Sequence, residues 1–287
     1  MSAPVELRIG LTTRNDAGVL SLCLDSIART LDSVSHEVVI VDDRSDDGTP
    51  EIARAAGARV EVRALGQADA LNYLLATSDT AYTLLLHSDV TLLDADWYPR
   101  VRRHIAGGVV LVSPDDCGVG PFLRAAYGAG NPESSFMFWS TAGARRLRRL
   151  GPRQLVRAAR ERLPFIRYVN LYHRHITHYL PAELERNGLR WKQMAVLPSP
   201  TGERWFEFDA HAPGVSWDPA WGSLVYGFGN FYALDGQITH FHQWYSRDAG
   251  SDPTTLNADG IPVRFLREAA ARFEHDYRAG RVQVPTP

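Results

Sequence analysis

Residues 37–53 have the sequence EVVIVDDRSDDGTPEIA, in which an apolar run ends in two carboxylates, Asp42 and Asp43, before a Ser/Asp/Gly turn and a helix start. One strand–helix unit later, residues 84–90 (LLLHSDV) form a second apolar run that ends at Asp89. Parallel strands buried on both faces have such apolar runs, and ligands bind beyond their carboxyl ends. We therefore expect Asp43 and Asp89 to open into one crevice, where a nucleotide and a metal ion could meet.

The overall composition excludes several classes of protein. A net charge of −2 over 287 residues argues against a general nucleic-acid binder. The two cysteines, Cys23 and Cys117, do not suggest a disulfide framework. No secretory leader is evident and no apolar run reaches the roughly 18 residues that a membrane span needs. These features predict a cytoplasmic protein.

The first third of the chain alternates strand patterns with helix patterns. Asn15 or Asp16 is expected to cap the first helix, and Thr49 the second, with Pro50 at its first position. Such alternation predicts an α/β fold of the Rossmann-like type, a mostly parallel sheet flanked by helices. Four strands are predicted in this part: 7–13, 38–41, 59–63 and 82–86.

After Asp89 the pattern is looser, and the predicted elements are farther apart. The region 198–260 is rich in Gly, Pro and aromatic residues and is expected to be irregular. The predicted elements are a helix at 96–105, strands at 109–113, 136–139 and 189–197, a mostly helical segment at 141–187 and a closing helix at 262–278.

The polar residues at the strand ends suit a nucleotide diphosphate sugar. Asp43 could accept hydrogen bonds from a base or a ribose, and Thr12 lies at the end of the neighbouring strand. Asp89 suits a metal, since Mg²⁺ and Mn²⁺ prefer hard oxygen ligands. The alternative for Asp42 and Asp43 is a structural role in a turn or a helix cap.

Four segments, LTTRND, VVIVDDRSDDGT, GQADALN and LLLHSDV, resemble in order and spacing the family 2 glycosyltransferases of the GT-A fold. The resemblance covers about the first 110 residues and implies an enzyme, hexosyltransferase-like, that transfers a sugar with inversion and with Mn²⁺ or Mg²⁺. It implies a nucleotide-binding role for the following residues: Thr12, Asp42, Asp43, Asn72 and Ser88. Asp89 would be the last residue of the family's Asp-x-Asp metal motif.

The chain departs from the family pattern at two positions. His87 stands at the first position of the metal motif, where it could bind Mn²⁺ or contact the sugar. Gln67 stands where many members have a lysine, so the phosphate region lacks one positive charge. The two changes weaken the expectation of a standard diphosphate clamp and leave the predicted fold unchanged.

The segment ITHFHQWYSR, 238–247, offers further metal and phosphate ligands. Its His-x-His pattern places both imidazoles on one face of an extended strand. The related fold commonly supplies a histidine from this part, so His240 or His242 is a candidate metal ligand; the alternative is a structural pair with ordinary hydrogen bonds. Arg247 could offset the phosphate charge that Gln67 cannot.

Two residues are candidates for the catalytic base. Family members often carry a Glu-Asp pair about a dozen residues before a glycine, and the corresponding count from Gly188 reaches Thr177 and His178. An imidazole titrates near neutral pH, so His178 could serve. Asp209, in an aromatic loop, is the rival. His173 and His175 also lie nearby, although a zinc site built from these histidines lacks completing ligands.

Two other regions bear on the acceptor. Eight aromatic residues between 205 and 231 lack a clear periodicity, so some are expected to line a cleft for a sugar ring, with a lid or dimer contact as the alternative. The segment 145–167 carries nine arginines and one acid, which fits a peripheral contact with the inner membrane face or an ordinary solvated helix.

These observations favour a glycosyltransferase with a nucleotide-binding half, 1–113, and an acceptor-binding half, 114–287. The acceptor could be a saccharide, a lipid-linked molecule or a small molecule. Because several usual catalytic positions are altered, the alternative is a GT-A-fold protein that binds a nucleotide sugar or a partner without transfer. A nucleotidyltransferase is disfavoured because the N-terminal Gly-rich, basic phosphate loop is absent.

Overall fold

The structure is a computed structural model that describes residues 5–115, 130–147, 177 and 180–286. Within these residues, ten strands form one sheet. The strands are β1 (Leu7–Thr13), β2 (His36–Asp42), β3 (Arg59–Val62), β4 (Tyr82–His87), β5 (Val90–Leu92), β6 (Val109–Pro114), β7 (Phe136–Ser140), β8 (Arg190–Pro198), β9 (Gly229–Leu234) and β10 (Gln237–Gln243). The helices are α1 (Ala17–Thr30), α2 (Thr49–Ala55), α3 (Gln67–Ala76), α4 (Trp97–Arg102), α5 (Thr141–Ala144), α6 (Leu180–Arg186) and α7 (Val263–Arg278). Short 3₁₀ helices occupy Pro219–Ser223 and Asp248–Gly250.

The strands follow the order β3-β2-β1-β4-β7-β6-β8-β9-β10-β5. The first four pair in parallel, with α1 and α2 on one face and α3 on the other. Successive residues of a strand point to opposite faces of the sheet. In β2, Ile40 packs on the face covered by α1, whereas Val39 and Val41 pack on the face covered by α3. The predicted fold class, an open α/β sheet with a parallel core flanked by helices, is confirmed.

Gly10 of β1 shows why the two layers lie so close. A Cβ built at this position would lie 3.1 Å from Leu74 Cδ1 of α3. A larger residue there would require the Leu74 side chain to shift by a few tenths of an ångström.

The second half of the sheet is mixed. β7 pairs antiparallel with both β4 and β6, and β8, β9 and β10 continue mostly antiparallel to β5 at the far edge. The region 198–260, which its Gly and Pro content predicts to be irregular, therefore contains the strand pair β9 and β10. β9 and β10 are joined by Asp235 and Gly236, both with positive φ, as in a tight hairpin turn.

The predicted helix caps differ from the observed ones. Gly48, with a φ of 85°, precedes α2, while Thr49 is its first residue and accepts a hydrogen bond from the Asp16 backbone N–H through Oγ1. Asp16 does precede α1, but its carboxylate makes no cap and turns into the molecule. The reason is that both side chains bind other elements rather than their own helix.

In the described ranges, none of the helices combines the length and apolar character of a membrane span. Of the basic segment 145–167, only residues 145–147 lie within the described residues. Its contact with a membrane stays a prediction.

Candidate functional site

A cleft of about 570 Å³ lies at the carboxyl ends of β1, β2 and β4. Thr12, near the end of β1, is paired with Val41 on one side and His87 on the other. Both Asp43 and Asp89 line this cleft, so the strand-end carboxylates expected to share a crevice do so. The opposite wall is formed by the end of β10 and the loop after it.

Three side chains in the cleft could hold a metal ion. One ligand atom from each of His87, Asp89 and His242 lies within 4.8 Å of the others. They meet because β5, which begins directly after Asp89, pairs antiparallel with β10 in a register that sets Val90 opposite His242. The nearest approach, from His242 Nε2 to Asp89 Oδ1, is 3.3 Å.

The neighbours of this cluster fix the orientation of its ligands. Glu133 Oε1 lies 2.9 Å from His242 Nδ1, and its other oxygen accepts a hydrogen bond from the Tyr232 hydroxyl at 2.6 Å. Ser246 Oγ donates to Asp89 Oδ2 at 2.7 Å, while the buried Asp89 Oδ1 accepts no hydrogen bond from the described residues. The set of two imidazoles and a carboxylate, with a buried oxygen facing both rings, fits a divalent cation.

The electrostatics of the cluster are those of closely coupled charges. Burial would lower the pKa of His242, but Asp89 and Glu133 raise it to about 10. Burial would likewise raise the pKa of Glu133, but hydrogen bonding and charge from His242 lower it to about 2. The pKa of Asp89 is held well below its usual range, since the opposing effect of burial is outweighed by His242. Both carboxylates are therefore ionised at neutral pH.

His240, the other histidine of the His-x-His pattern, does not reach the cleft. Its ring is stacked between Phe136 and Tyr232, with centroids 4.5 and 4.6 Å away. Both ring nitrogens lack hydrogen-bond partners among the described residues, and burial lowers the pKa of His240 to about 3. The pattern placed both imidazoles on one face, but His240 lies farther inside the sheet, under aromatic residues. The structure thus disfavours His240 as a metal ligand.

The other predicted nucleotide residues divide into lining and supporting residues. Asp43 and Thr12 line the cleft, and Arg14 Nη1 lies 3.3 Å from Asp43 Oδ2. Asp42 is fully buried and accepts hydrogen bonds from Thr13 Oγ1 and from Ser45, so it supports the loop after β2. The side-chain amide of Asn72 donates to the Ala68 carbonyl within α3, and Asn72 is not among the lining residues.

Arg247 reaches the cleft from the opposite wall. Its Nε donates to Asp16 Oδ1 at 2.8 Å, and the other oxygen of Asp16 accepts from Ser88 Oγ at 2.8 Å. Because Asp16 is buried while the Arg247 side chain is 62% exposed, the carboxylate holds one edge of a guanidinium that remains open to a ligand.

The sequence analysis did not identify three residues of this arrangement as part of the site. Asp16 was assigned only a capping role, Glu133 lies in a Gly- and Pro-rich stretch, and Ser246 follows two aromatic residues. The only sequence feature that could have indicated Glu133 is its position as an acidic residue shortly before a predicted strand.

Of the two predicted candidates for the catalytic base, the structure describes Asp209 but not His178. Asp209 is exposed, accepts a hydrogen bond from the His211 backbone N–H, and does not line the cleft, so the structure disfavours it as the base. Its loop is held away from the site because the neighbouring aromatic residues pack against α7. His178 lies outside the described residues, as do His173 and His175.

None of the eight aromatic residues between 205 and 231 lines this cleft. All eight are described, and they pack in two clusters around Phe265 and Phe273 of α7 without lining the cleft. Trp244 and Tyr245 line it instead. The eight are Trp205, Phe206, Phe208, Trp217, Trp221, Tyr226, Phe228 and Phe231.

Comparison with known proteins agrees with the motifs. The sequence profile of glycosyl transferase family 2 matches residues 9–160, more than half of the chain. Among curated proteins, none matches the sequence.

Several solved structures have a similar fold. They include the mannosyltransferase PcManGT from Pyrobaculum calidifontis in complex with GDP-Man and Mn²⁺, with 19% identity, coverage of 66% of this chain and 54% of that chain, and a TM-score of 0.44. Glucosyl-3-phosphoglycerate synthase from Mycobacterium tuberculosis, in complex with Mn²⁺, uridine diphosphate and glucosyl-3-phosphoglycerate, has 24% identity, 48% and 57% coverage and a TM-score of 0.37. TarS from S. aureus has 19% identity, 48% and 47% coverage and a TM-score of 0.36. The matches span about half the length of these proteins.

Proposed function

Because the chain belongs to glycosyltransferase family 2, we propose that it transfers a hexosyl group from a nucleotide diphosphate sugar to an acceptor hydroxyl, with inversion and with a divalent metal ion. One observation carries the proposal. Asp43, the carboxylate proposed to bind the base, lines the same cleft as His87, Asp89 and His242, which could hold a metal ion.

The donor would lie across the strand ends. Asp43 and Thr12 would bind the base and ribose at one end, because both residues line the cleft beside the ends of β2 and β1. The diphosphate would lie near the cluster, with the open edge of Arg247 as its second cation. The half 1–113 would thus supply most of the donor site, with His242 and Arg247 completing it, and the remainder of the half 114–287 would supply the acceptor site.

The reaction would be a single displacement. The acceptor oxygen attacks the anomeric carbon as the bond to the diphosphate breaks, and a base takes the acceptor proton. His178 remains the proposed base. A divalent cation held by His87, Asp89 and His242 would stabilise the negative charge of the leaving diphosphate. Arg247 would act on the same charge, and Asp16 holds it in position.

The proposal is tested by incubating the protein with UDP-, GDP- and dTDP-sugars and Mn²⁺ and measuring nucleotide release, alone and with saccharide, lipid-linked and small-molecule acceptors. We expect release from at least one donor, and a decrease of more than about 100-fold in Asp89→Asn. Asp96→Asn, the same change at an exposed position outside the cleft, is the control, with the thermal midpoint of each variant measured. Donor binding without release or transfer would favour the non-catalytic alternative, and full activity of Asp89→Asn would refute the metal role.

A further inference from the structure

The two departures from the family pattern contact each other. Gln67 Nε2 lies 3.0 Å from His87 Nε2, although the two residues are on different elements. Ser134 Oγ lies 3.1 Å from the same nitrogen. The Ser134 hydroxyl can accept a hydrogen bond from His87 Nε2–H, and Gln67 can accept it through Oε1 once its amide is turned by 180°, which exchanges the positions of Nε2 and Oε1. The substitution at one position therefore provides a partner for the substitution at the other.

This contact orients His87 towards the metal cluster. With Nε2 facing Gln67 and Ser134, the opposite nitrogen, Nδ1, faces Asp89 Oδ1 at 4.0 Å. His242 has the same arrangement in reverse, with Nδ1 held by Glu133 and Nε2 facing Asp89. Each imidazole thus has one nitrogen held by a neighbour and one directed at a common point, which is how metal-ligating histidines are usually oriented.

The paired change also conserves charge. Relative to the family pattern, aspartate to histidine at 87 removes a negative charge and lysine to glutamine at 67 removes a positive one. A lysine at 67 would place a cation against the His87 ring, and an aspartate at 87 would lack that cation. Together the two residues therefore leave the summed charge of this part of the cleft as the family pattern would have it.

From this geometry we infer that the centre selects a transition-metal ion that accepts imidazole ligands, of the class of Mn²⁺, Fe²⁺, Co²⁺ and Zn²⁺, and discriminates against Mg²⁺. The inference deepens the proposed function by naming the class of its metal. The cluster offers two nitrogens and a single carboxylate, whereas Mg²⁺ requires oxygen ligands in near-octahedral geometry. Mg²⁺ would take its oxygen ligands there from Asp89, the donor's phosphates and water, and would gain little from the two imidazoles.

The test is direct metal binding, which does not depend on turnover. Calorimetric titration of the metal-free protein with Mn²⁺, Co²⁺ and Mg²⁺, each with and without UDP or GDP, gives the ratio of affinities. In the double variant His87→Asp/Gln67→Lys we expect the preference for Mn²⁺ over Mg²⁺ to decrease by at least about tenfold relative to the native protein. His87→Asp alone should show part of this change. His211→Asp, the same change at an exposed position away from the cleft, should show none.

Pulsed electron paramagnetic resonance of bound Mn²⁺ gives a second readout. Nitrogen coupling is expected in the native protein, reduced in His87→Asp and reduced in His242→Gln. Absence of nitrogen coupling, or an unchanged Mn²⁺ preference in the double variant, would overturn the inference even if sugar transfer is observed. The expected binding pattern without any transfer would instead refute the proposed function alone.

Discussion

The two walls of the cleft are held in different ways. The first wall, the ends of β1, β2 and β4 with their loops, is fixed by bonds between adjacent loops: Asn15 N–H donates to Ser45 Oγ, and Asp46 N–H to Asn15 Oδ1. The second wall, residues 242–248, is fixed by side-chain contacts with residues more than 100 positions away: His242 with Glu133, Ser246 with Asp89, and Arg247 with Asp16.

The difference has a mechanical consequence. The first wall keeps its shape through several local hydrogen bonds, so the loss of one leaves the others. The side chains of the second wall named above depend instead on one or two partners elsewhere in the chain. Substitution of such a partner should therefore alter ligand binding without altering the fold.

The largest effect is expected for Glu133→Gln. The amide keeps the shape of the side chain but removes the charge that orients and polarises His242, and such partners typically contribute 10- to 100-fold, roughly, to metal affinity. The measurement is the dissociation constant for Mn²⁺ by calorimetry. Tyr232→Phe, which removes only the contact to the other oxygen of Glu133, should have a smaller effect. Equal effects of the two variants would show that the position of Glu133, and not its charge, determines the metal affinity.

The next effect concerns Arg247 and its partner Asp16. In Arg247→Met we expect the affinity for a nucleoside diphosphate to decrease about tenfold, because a charge-assisted contact to phosphate is lost. Asp16→Asn should reproduce part of this loss, since it releases the guanidinium. Affinity for the nucleoside without phosphates should not change in either variant.

Arg14→Met gives the matched comparison from the first wall. Arg14 pairs with Asp43 rather than with the phosphate region, so its loss should change nucleoside and nucleoside diphosphate affinities to the same extent. If Arg247→Met also reduced nucleoside affinity, the assignment of the second wall to the diphosphate would be wrong.

The same division explains how far the sequence could predict this molecule. The apolar runs of the first wall have strand periodicity, and each ends in polar residues, so Thr12, Asp43 and Asp89 could be placed in one crevice from local patterns alone. Parallel pairing of consecutive strand–helix units then leaves little freedom in the arrangement.

The second wall could not be predicted in this way. The pattern at 238–247 gave two equivalent imidazoles, and only the antiparallel pairing of β10 with β5 places His242 rather than His240 beside Asp89. Glu133 and Asp16 contribute through contacts over long sequence separations, which no local period encodes. The packing of the aromatic residues near 205–231 around α7 could not be predicted either, because a core built around one helix does not require regular spacing.

His240, two residues before the second wall on β10, offers a test of the packing behind that wall. In His240→Phe we expect the free energy of unfolding to increase by about 1 kcal/mol, because two buried polar nitrogens without partners are replaced by an apolar ring in the same aromatic stack. The measurement is urea unfolding with a metal chelator present. His242→Phe should have the opposite sign, since it leaves Asp89 and Glu133 buried without their cation. Destabilisation by His240→Phe would indicate that His240 makes a polar contact that stabilises the fold.

The smallest effect concerns the contact that ties the β9–β10 turn to the end of α4. Burial would raise the pKa of Asp235, but hydrogen bonds from His104 and Arg103, at 2.7 and 2.6 Å, lower it. A carboxyl whose pKa is lower in the folded state stabilises the protein above its unfolded pKa, near 3.9, and the stabilisation is lost as the pH falls below that value. Asp235→Asn keeps a residue that tolerates the positive φ of this position and should cost about 0.5–1 kcal/mol at pH 6. Urea unfolding of both proteins from pH 6 downwards should show this difference shrinking towards pH 3; a difference that is constant with pH would assign it to the turn backbone rather than to the charge.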